Sequence, residues 1–143
     1  MKLIQLSIFI ENRSGRLADI TRLLGKSKIN IRALSLADTS DFGILRIIVN
    51  NVDKAYLILK QENFTVSKTE VLAIEVPDVP GGLNNILELL AKENINIEYM
   101  YAFVEKASDK AILVFRFEDM EKTISTLQKN NISILSGETV YNL

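Results

Sequence analysis

The sequence predicts an α+β protein made of two ferredoxin-like βαββαβ units in tandem, with antiparallel sheets and helices on one face. The first observation is an internal repeat: Leu6–Ile31 aligns with Leu72–Ile97 at an offset of 66, with 11 of 26 positions identical. The second is the order of apolar patterns in each copy, which reads strand, helix, strand, strand, helix, strand. No Gly-, Ser- or Pro-rich linker separates the copies. We therefore expect two domains, 1–68 and 69–143.

The first half of each copy changes from a strand period to a helix period. In copy one, apolar residues alternate along Leu6–Ile10, as in a strand. Apolar residues then recur at helical spacing along Leu17–Leu24. We expect Gly25 to end this helix in a left-handed conformation. Ile29–Ala37 has the composition of a second strand.

The second half of each copy completes the unit. Ile44–Val49 is an apolar third strand, and Val52–Leu59 carries one apolar helix face that Met120–Leu127 repeats. Phe64–Val66 begins a fourth strand. The repeat offset is 68 from the third strand onward, so we expect two extra residues between the second and third strands of copy two.

The composition argues against catalysis. The chain has no cysteine and no histidine, so thiol nucleophiles, the commonest general base and the commonest metal ligand are all missing. The sequence also contains no nucleophile with a plausible base, no phosphate-binding loop and no metal-ligand spacing. We predict that the protein is not an enzyme, with no catalytic residues, no metal site and no cofactor.

Charge and hydropathy narrow the range of partners. The net charge is −1, which gives no broad field for nucleic acid or an anionic membrane. No apolar stretch approaches the ~18 residues of a membrane span, and no signal-peptide pattern is visible. We therefore expect a cytoplasmic protein with no nucleic-acid partner and no membrane partner.

The loop between the first strand and the first helix carries the strongest functional pattern. Asn12 stands three residues before Gly15, and Asp78 stands three residues before Gly81. A helix N-terminus offers unpaired N–H groups and partial positive charge to a carboxylate, and glycine permits close approach. The side-chain oxygens of Asn and Asp accept from an ammonium group. Together these groups predict a receptor for an α-amino acid.

Two further asparagines, Asn30 and Asn96, begin the second strands, and we expect them to converge on the same place. The predicted ligand-binding residues are Asn12, Arg13, Ser14, Gly15, Arg16, Leu17 and Asn30 in copy one, and Asp78, Gly81, Gly82, Leu83 and Asn96 in copy two.

These segments resemble a known family. The run Glu11–Leu17, followed by Ile29–Ile31, resembles the ACT domains of amino-acid-regulated biosynthetic enzymes. In copy two, Asp78–Leu83 followed by Ile95–Ile97 is similar to the family's Asp-x-Pro-Gly-x-Leu pattern. The resemblance covers nearly the whole chain twice. It implies a regulatory protein that binds an L-amino acid effector at an interface between ACT units and passes its output to a partner enzyme of amino-acid metabolism.

Other interpretations stay open. Asn12 and Asp78 also suit a turn or a helix cap, and the glycines suit the turn alone. ACT-like units can also serve as ligand-free dimerisation or protein-interaction subunits that regulate a partner enzyme. An RNA-binding module shares the topology, but Ile44–Val49 lacks the aromatic residues such a module uses.

We also predict a homodimer. The apolar third strand and the alternation of Tyr99, Tyr101 and Phe103 leave surface to cover, and members of the family usually pair.

Overall fold

A computed structural model describes residues 2–38, 41–103 and 110–143. The chain divides into two compact units. Unit 1 consists mainly of Ile4–Thr69, and unit 2 consists mainly of Glu70–Tyr141, to which residues 2–3 also belong.

Unit 1 has the predicted βαββαβ order. Its strands follow the order β2-β3-β1-β4 within the sheet, and both β1 and β2 run antiparallel to β3. This is the ferredoxin-like arrangement, so the predicted fold class is confirmed. The elements are β1 (Leu3–Glu11), α1 (Arg16–Lys26), β2 (Ile31–Asp38), β3 (Phe42–Val49), α2 (Val52–Gln61) and the start of β4 (Thr65–Pro77).

The core of unit 1 lies between its sheet and its two helices. Alternate residues of β1, such as Ile8, face the helices and pack with Ile20 and Leu24 of α1 and with Leu59 of α2. Side chains at the intervening positions point to the other side of the sheet. One of them, Phe9, remains 53% exposed.

Unit 2 repeats this architecture. Its sheet has the order β5-β6-β4-β7, and its core contains the stacked rings of Phe115 and Phe117, whose centroids lie 5.3 Å apart. The additional residues of copy two fall between β5 and β6, where residues 104–109 lie outside those described. The elements after β4 are α3 (Gly82–Lys92), β5 (Ile97–Ala102), β6 (Lys110–Phe117), α4 (Met120–Lys129), β7 (Ile134–Leu135) and α5 (Gly137–Tyr141).

The expected helix end at Gly25 is wrong. Gly25 lies inside α1, and the left-handed residue is Lys28, with φ 59°. The backbone turns toward β2 only there, where the Lys28 N–H donates to the Gly25 carbonyl at 3.1 Å. Unit 2 repeats this turn with Asn94 at φ 56°, so the turn belongs to the repeated backbone.

The short helix α5 has no counterpart in the sequence prediction. The Thr139 N–H donates to Ser136 Oγ at 3.2 Å, which caps the helix, and Val140 is fully buried. With only five residues, α5 is too short to show an apolar period.

Candidate functional site

The loop between β1 and α1 of unit 1 is exposed. Asn12, Arg13, Ser14 and Gly15 all lie at the surface. Gly15 adopts the left-handed conformation, with φ 91°, immediately before α1. The Asn12 N–H donates to the Asp41 carbonyl at 2.9 Å, which ties the loop to the turn before β3. The predicted loop therefore lies at the surface, and a backbone hydrogen bond fixes its position.

The N-terminal turn of α1 faces solvent. The Arg16 N–H donates to the Arg13 carbonyl at a long 3.4 Å. Leu17 is 36% exposed, whereas its equivalent Leu83 packs against the core of unit 2. The first N–H groups of a helix have no partner within the helix, so this turn can receive an anion.

The side chain of Arg16 lies at the edge of this turn. Its guanidinium carbon is 4.6 Å from the centroid of the Phe64 ring, a cation–π geometry. Its Nη1 lies 3.4 Å from Asp19 Oδ2. Arg16 Nε is buried and has no hydrogen-bond partner among the described residues. An unpaired buried donor is unfavourable, so this guanidinium is incompletely satisfied.

The equivalent loop of unit 2 differs at the start of its helix. Asp78 is exposed, and Gly81 repeats the left-handed conformation with φ 83°. Gly82, at the position of Arg16, is buried, and its N–H donates to the Val79 carbonyl at 3.0 Å. A Cβ atom on Gly82 would overlap the carbonyl oxygen of Pro77. This glycine has a steric role because the helix starts directly against the strand backbone.

Unit 1 does not bring Asn12 and Asn30 together. Asn12 is bonded to Asp41 before β3, whereas the Asn30 N–H donates to Asn50 Oδ1, after β3, at 2.9 Å. An eight-residue strand spans roughly 25 Å. The expected convergence within one copy is therefore not found.

Unit 2 shows the same separation. Asp78 follows Pro77, which pairs with Lys110 at the start of β6. The Asn96 carbonyl accepts from the Glu118 N–H at 3.2 Å, just after β6 ends. Asp78 and Asn96 thus lie at opposite ends of their unit.

Asn96 lines a charged cleft of about 640 Å³ in unit 2. Lys2 Nζ lies 2.6 Å from Glu121 Oε1, and Arg116 Nε lies 3.1 Å from Glu98 Oε1. The hydrogen bond to Glu121 raises the pKa of Lys2 above its ordinary value. These charges are already paired, so the size of this cleft does not make it the better ligand site.

A second cleft, of about 430 Å³, borders the loop of unit 1. It lies where the end of β1, the start of α1 and the start of β4 meet. Its aromatic residues are not among those predicted from the sequence, although Phe9 and Phe42 occupy strand positions that face away from the core. The residues that form its apolar and charged walls are Phe9, Glu11, Arg16, Phe42 and Phe64.

The part of the chain that the structure describes offers neither a metal-binding cluster nor a membrane-spanning helix. No group of three or more acidic residues there could hold a metal ion. None of the helices there is long and apolar enough to cross a membrane.

The whole chain matches a protein-family model described as an ACT domain pair, over residues 1–143. The chain belongs to the ACT domain pair family. Protein BT0572 from Bacteroides thetaiotaomicron is similar over the full length: it is 43% identical, with a TM-score of 0.94, and the match covers 100% of this chain and 98% of that one. The family resemblance inferred from the loop motifs is therefore confirmed.

More distant structures share the fold of this ACT pair. The ligand-free regulatory subunit of aspartate kinase from Thermus thermophilus is 12% identical, with a TM-score of 0.63, and the match covers 88% of this chain and 91% of that one. The corresponding subunit from Thermus flavus is 14% identical, with a TM-score of 0.58 and coverages of 88% and 90%. A comparison with curated proteins found no match.

Proposed function

We propose that this ACT pair is a regulatory protein that binds an L-amino acid at the loop between β1 and α1 of unit 1. The observation that carries the proposal is the exposed loop Asn12–Gly15, whose left-handed glycine opens onto the N-terminal turn of α1. Membership in the ACT family supports it, as do the regulatory subunits of aspartate kinase among the similar structures.

The polar groups of the loop suit the two ends of an amino acid. The ligand carboxylate lies on the N–H groups of Gly15 and Leu17, because the Arg16 N–H already points to the Arg13 carbonyl. The ligand ammonium donates to the side-chain oxygen of Asn12. We favour unit 1 because Asp78 would place a negative charge beside the carboxylate in unit 2.

A ligand that also contacts Asn30 must take it from another unit. Since Asn12 and Asn30 lie at opposite ends of unit 1, we propose that two chains pair and that Asn30 comes from the second chain. An amino acid bound there would favour one assembly over another, provided that its affinity differs between them. The output would reach a partner enzyme of amino-acid metabolism, and we propose a cytoplasmic location.

The test is a binding screen of the full chain against the twenty L-amino acids. A hundredfold excess of ligand over Kd should add about 2.7 kcal/mol of stability, a rise in Tm on the order of 10 °C. Asn12→Ala should abolish this rise and leave the ligand-free Tm nearly unchanged. Asp78→Ala is the matched control and should keep the rise. If Asn12→Ala keeps the ligand response and lowers the ligand-free Tm, Asn12 has only a structural role.

The second candidate is a ligand-free dimerisation subunit. The observation in its favour is the strand β2, last in the sheet order of unit 1, where Leu34 is 40% and Leu36 50% exposed. Exposed apolar side chains beside free strand hydrogen-bonding groups favour pairing with another chain. If no amino acid changes the Tm and Leu36→Lys converts a dimer to a monomer in light scattering, this second function is correct.

A further inference from the structure

The cleft beside the loop occurs at the same place in both units. In unit 2 it measures about 260 Å³ and lies against the end of β4, the start of α3 and the residues before β7. Its lining residues Asn131, Ile132 and Ser133 stand 68 positions after Asn63, Phe64 and Thr65 of the unit 1 cleft. The internal repeat therefore places a cleft at the same position in each unit, and the equivalent residues of the two clefts can be compared.

The two clefts differ in chemistry. Where unit 1 has Phe9 and Phe42, unit 2 has Glu75 and Lys110, whose charged atoms lie 3.6 Å apart. Both pairs are diagonal neighbours on adjacent antiparallel strands, a spacing that long side chains bridge. The backbone at this place thus accepts an ion pair and does not require aromatic residues.

The aromatic pair is poorly protected from water. Phe9 and Phe42 are each 53% exposed, although burial of such rings is favourable. Phe64 forms the buried floor of the same cleft. The volume of about 430 Å³ falls within the range of about 300–1,000 Å³ for small-molecule pockets, and the 260 Å³ of unit 2 falls below it.

A cation stands at the wall of this apolar cleft. The Arg16 guanidinium rests on Phe64, makes one long hydrogen bond to Asp19 at 3.4 Å and keeps Nε unpaired among the described residues. A small rotation of the side chain would offer Nε and an Nη to a carboxylate in a bidentate pair. Unit 2 has Gly82 at this position and offers no such group.

The cleft also carries an anion. Glu11 lines the cleft, and its Oε2 accepts from Arg13 Nε at 2.9 Å. A carboxylate accepts further hydrogen bonds, so Glu11 can also meet an ammonium group. The cleft therefore presents a cation, an anion and an aromatic surface around one small volume.

We propose that this cleft selects an L-amino acid with an aromatic side chain. The ring packs among Phe9, Phe42 and Phe64, and the carboxylate, beside the first turn of α1, pairs with Arg16. The inference rests on the proposed function and names the class of its ligand.

The experiment uses titration calorimetry on the full chain with L-phenylalanine, L-serine, 3-phenylpropionate and 2-phenylethylamine. L-Phenylalanine should bind at least tenfold more tightly than L-serine. Arg16→Met should weaken L-phenylalanine and 3-phenylpropionate at least tenfold, because both carry a carboxylate. The same variant should leave any binding of 2-phenylethylamine unchanged, since that probe has none.

A second variant replaces the aromatic pair of the unit 1 cleft with the charged pair of the unit 2 cleft. Phe9→Glu with Phe42→Lys gives unit 1 the residues that unit 2 has at these positions and should weaken L-phenylalanine at least tenfold. Glu75→Gln, in the other cleft, is the control and should change nothing. Urea unfolding of each variant checks that it remains folded, and Arg16→Met tests the site independently if the double variant does not fold.

Three outcomes would overturn the inference. If L-serine or another small amino acid binds best and the double variant binds it equally well, the proposed function stands and the aromatic selectivity is wrong. If none of the twenty amino acids binds, the proposed function fails and this inference fails with it. If the double variant only converts a dimer to a monomer in light scattering, the aromatic residues form a protein interface.

Discussion

Units 1 and 2 share the same backbone fold, but different side chains line the equivalent cleft in each unit. Both have a left-handed glycine before the first helix, at Gly15 and Gly81. Both cap the second helix with a side-chain oxygen, from Asn51 in unit 1 and Asp119 in unit 2. The cleft beside the loop is nevertheless aromatic with a cation in one unit and ion-paired in the other. Repetition has preserved the framework, and a few outward positions decide what each copy can bind.

The largest expected effect comes from the helix start of unit 2. Gly82→Ala would force Cβ against the carbonyl oxygen of Pro77, whose carbonyl carbon is 3.1 Å from the Cβ position. Because the obstacle is backbone, we expect a loss of about 3 kcal/mol or more in the free energy of unfolding, or failure to fold. Urea denaturation measures this loss.

Arg16→Ala is the matched change in unit 1. Position 16 already has a Cβ, so we expect a loss of about 1 kcal/mol or less, from the packing on Phe64 and the pair with Asp19. Equal losses in the two variants would show that the helix starts do not differ as described.

An effect smaller than that of Gly82→Ala should be equal in the two units. At Gly15 and Gly81, φ is 91° and 83°, and a Cβ atom would meet nothing within 4 Å. Gly15→Ala and Gly81→Ala should each lower the free energy of unfolding by about 1–2 kcal/mol, because the conformation disfavours L side chains. Thermal unfolding of the two variants side by side makes the comparison. A large difference between the two losses in stability would mean that the two loops do not impose the same conformation on their glycines.

The smallest effect concerns the charged cleft of unit 2. The hydrogen bond with Glu121 raises the pKa of Lys2, and Glu70 contributes in the same direction. A lysine with a raised pKa stabilises the folded state below its unfolded pKa of about 10.4, and this contribution is lost as pH rises through the folded pKa. The Tm advantage of the wild type over Lys2→Met should be small, constant from neutral pH to about pH 10 and reduced above it. An advantage that stays constant while Lys2 loses its proton would contradict this assignment.

The sequence predicted the fold because the repeat and the apolar periods are local signals. Alternation along Leu6–Ile10 and helical spacing along Leu17–Leu24 each lie within one segment, and both elements formed. The predicted end of α1 is wrong because a glycine at position 25 suggests the left-handed turn, whereas the residue that adopts this conformation is Lys28. Local patterns define an element better than they define its end.

The site was predicted only in part, for a related reason. The loop Asn12–Gly15 lies in one segment and was found. The aromatic cleft needs Phe9, Phe42 and Phe64, which come from three distant segments that only the fold brings together. Asn30 does not join Asn12 because α1 lies between them, so that Asn12 lies beside Asp41 before β3 and Asn30 beside Asn50 after it.

The strand β4 limits how far this protein can be treated as modular. It runs without interruption over Thr65–Pro77, so a cut between Thr69 and Glu70, where the two units divide, falls inside a strand. A fragment starting at Glu70 would also lack residues 2–3, which belong to unit 2. Unit 2 thus depends on residues that precede unit 1 in the chain, and fragment complementation is a better way to dissect the pair than expression of separate domains.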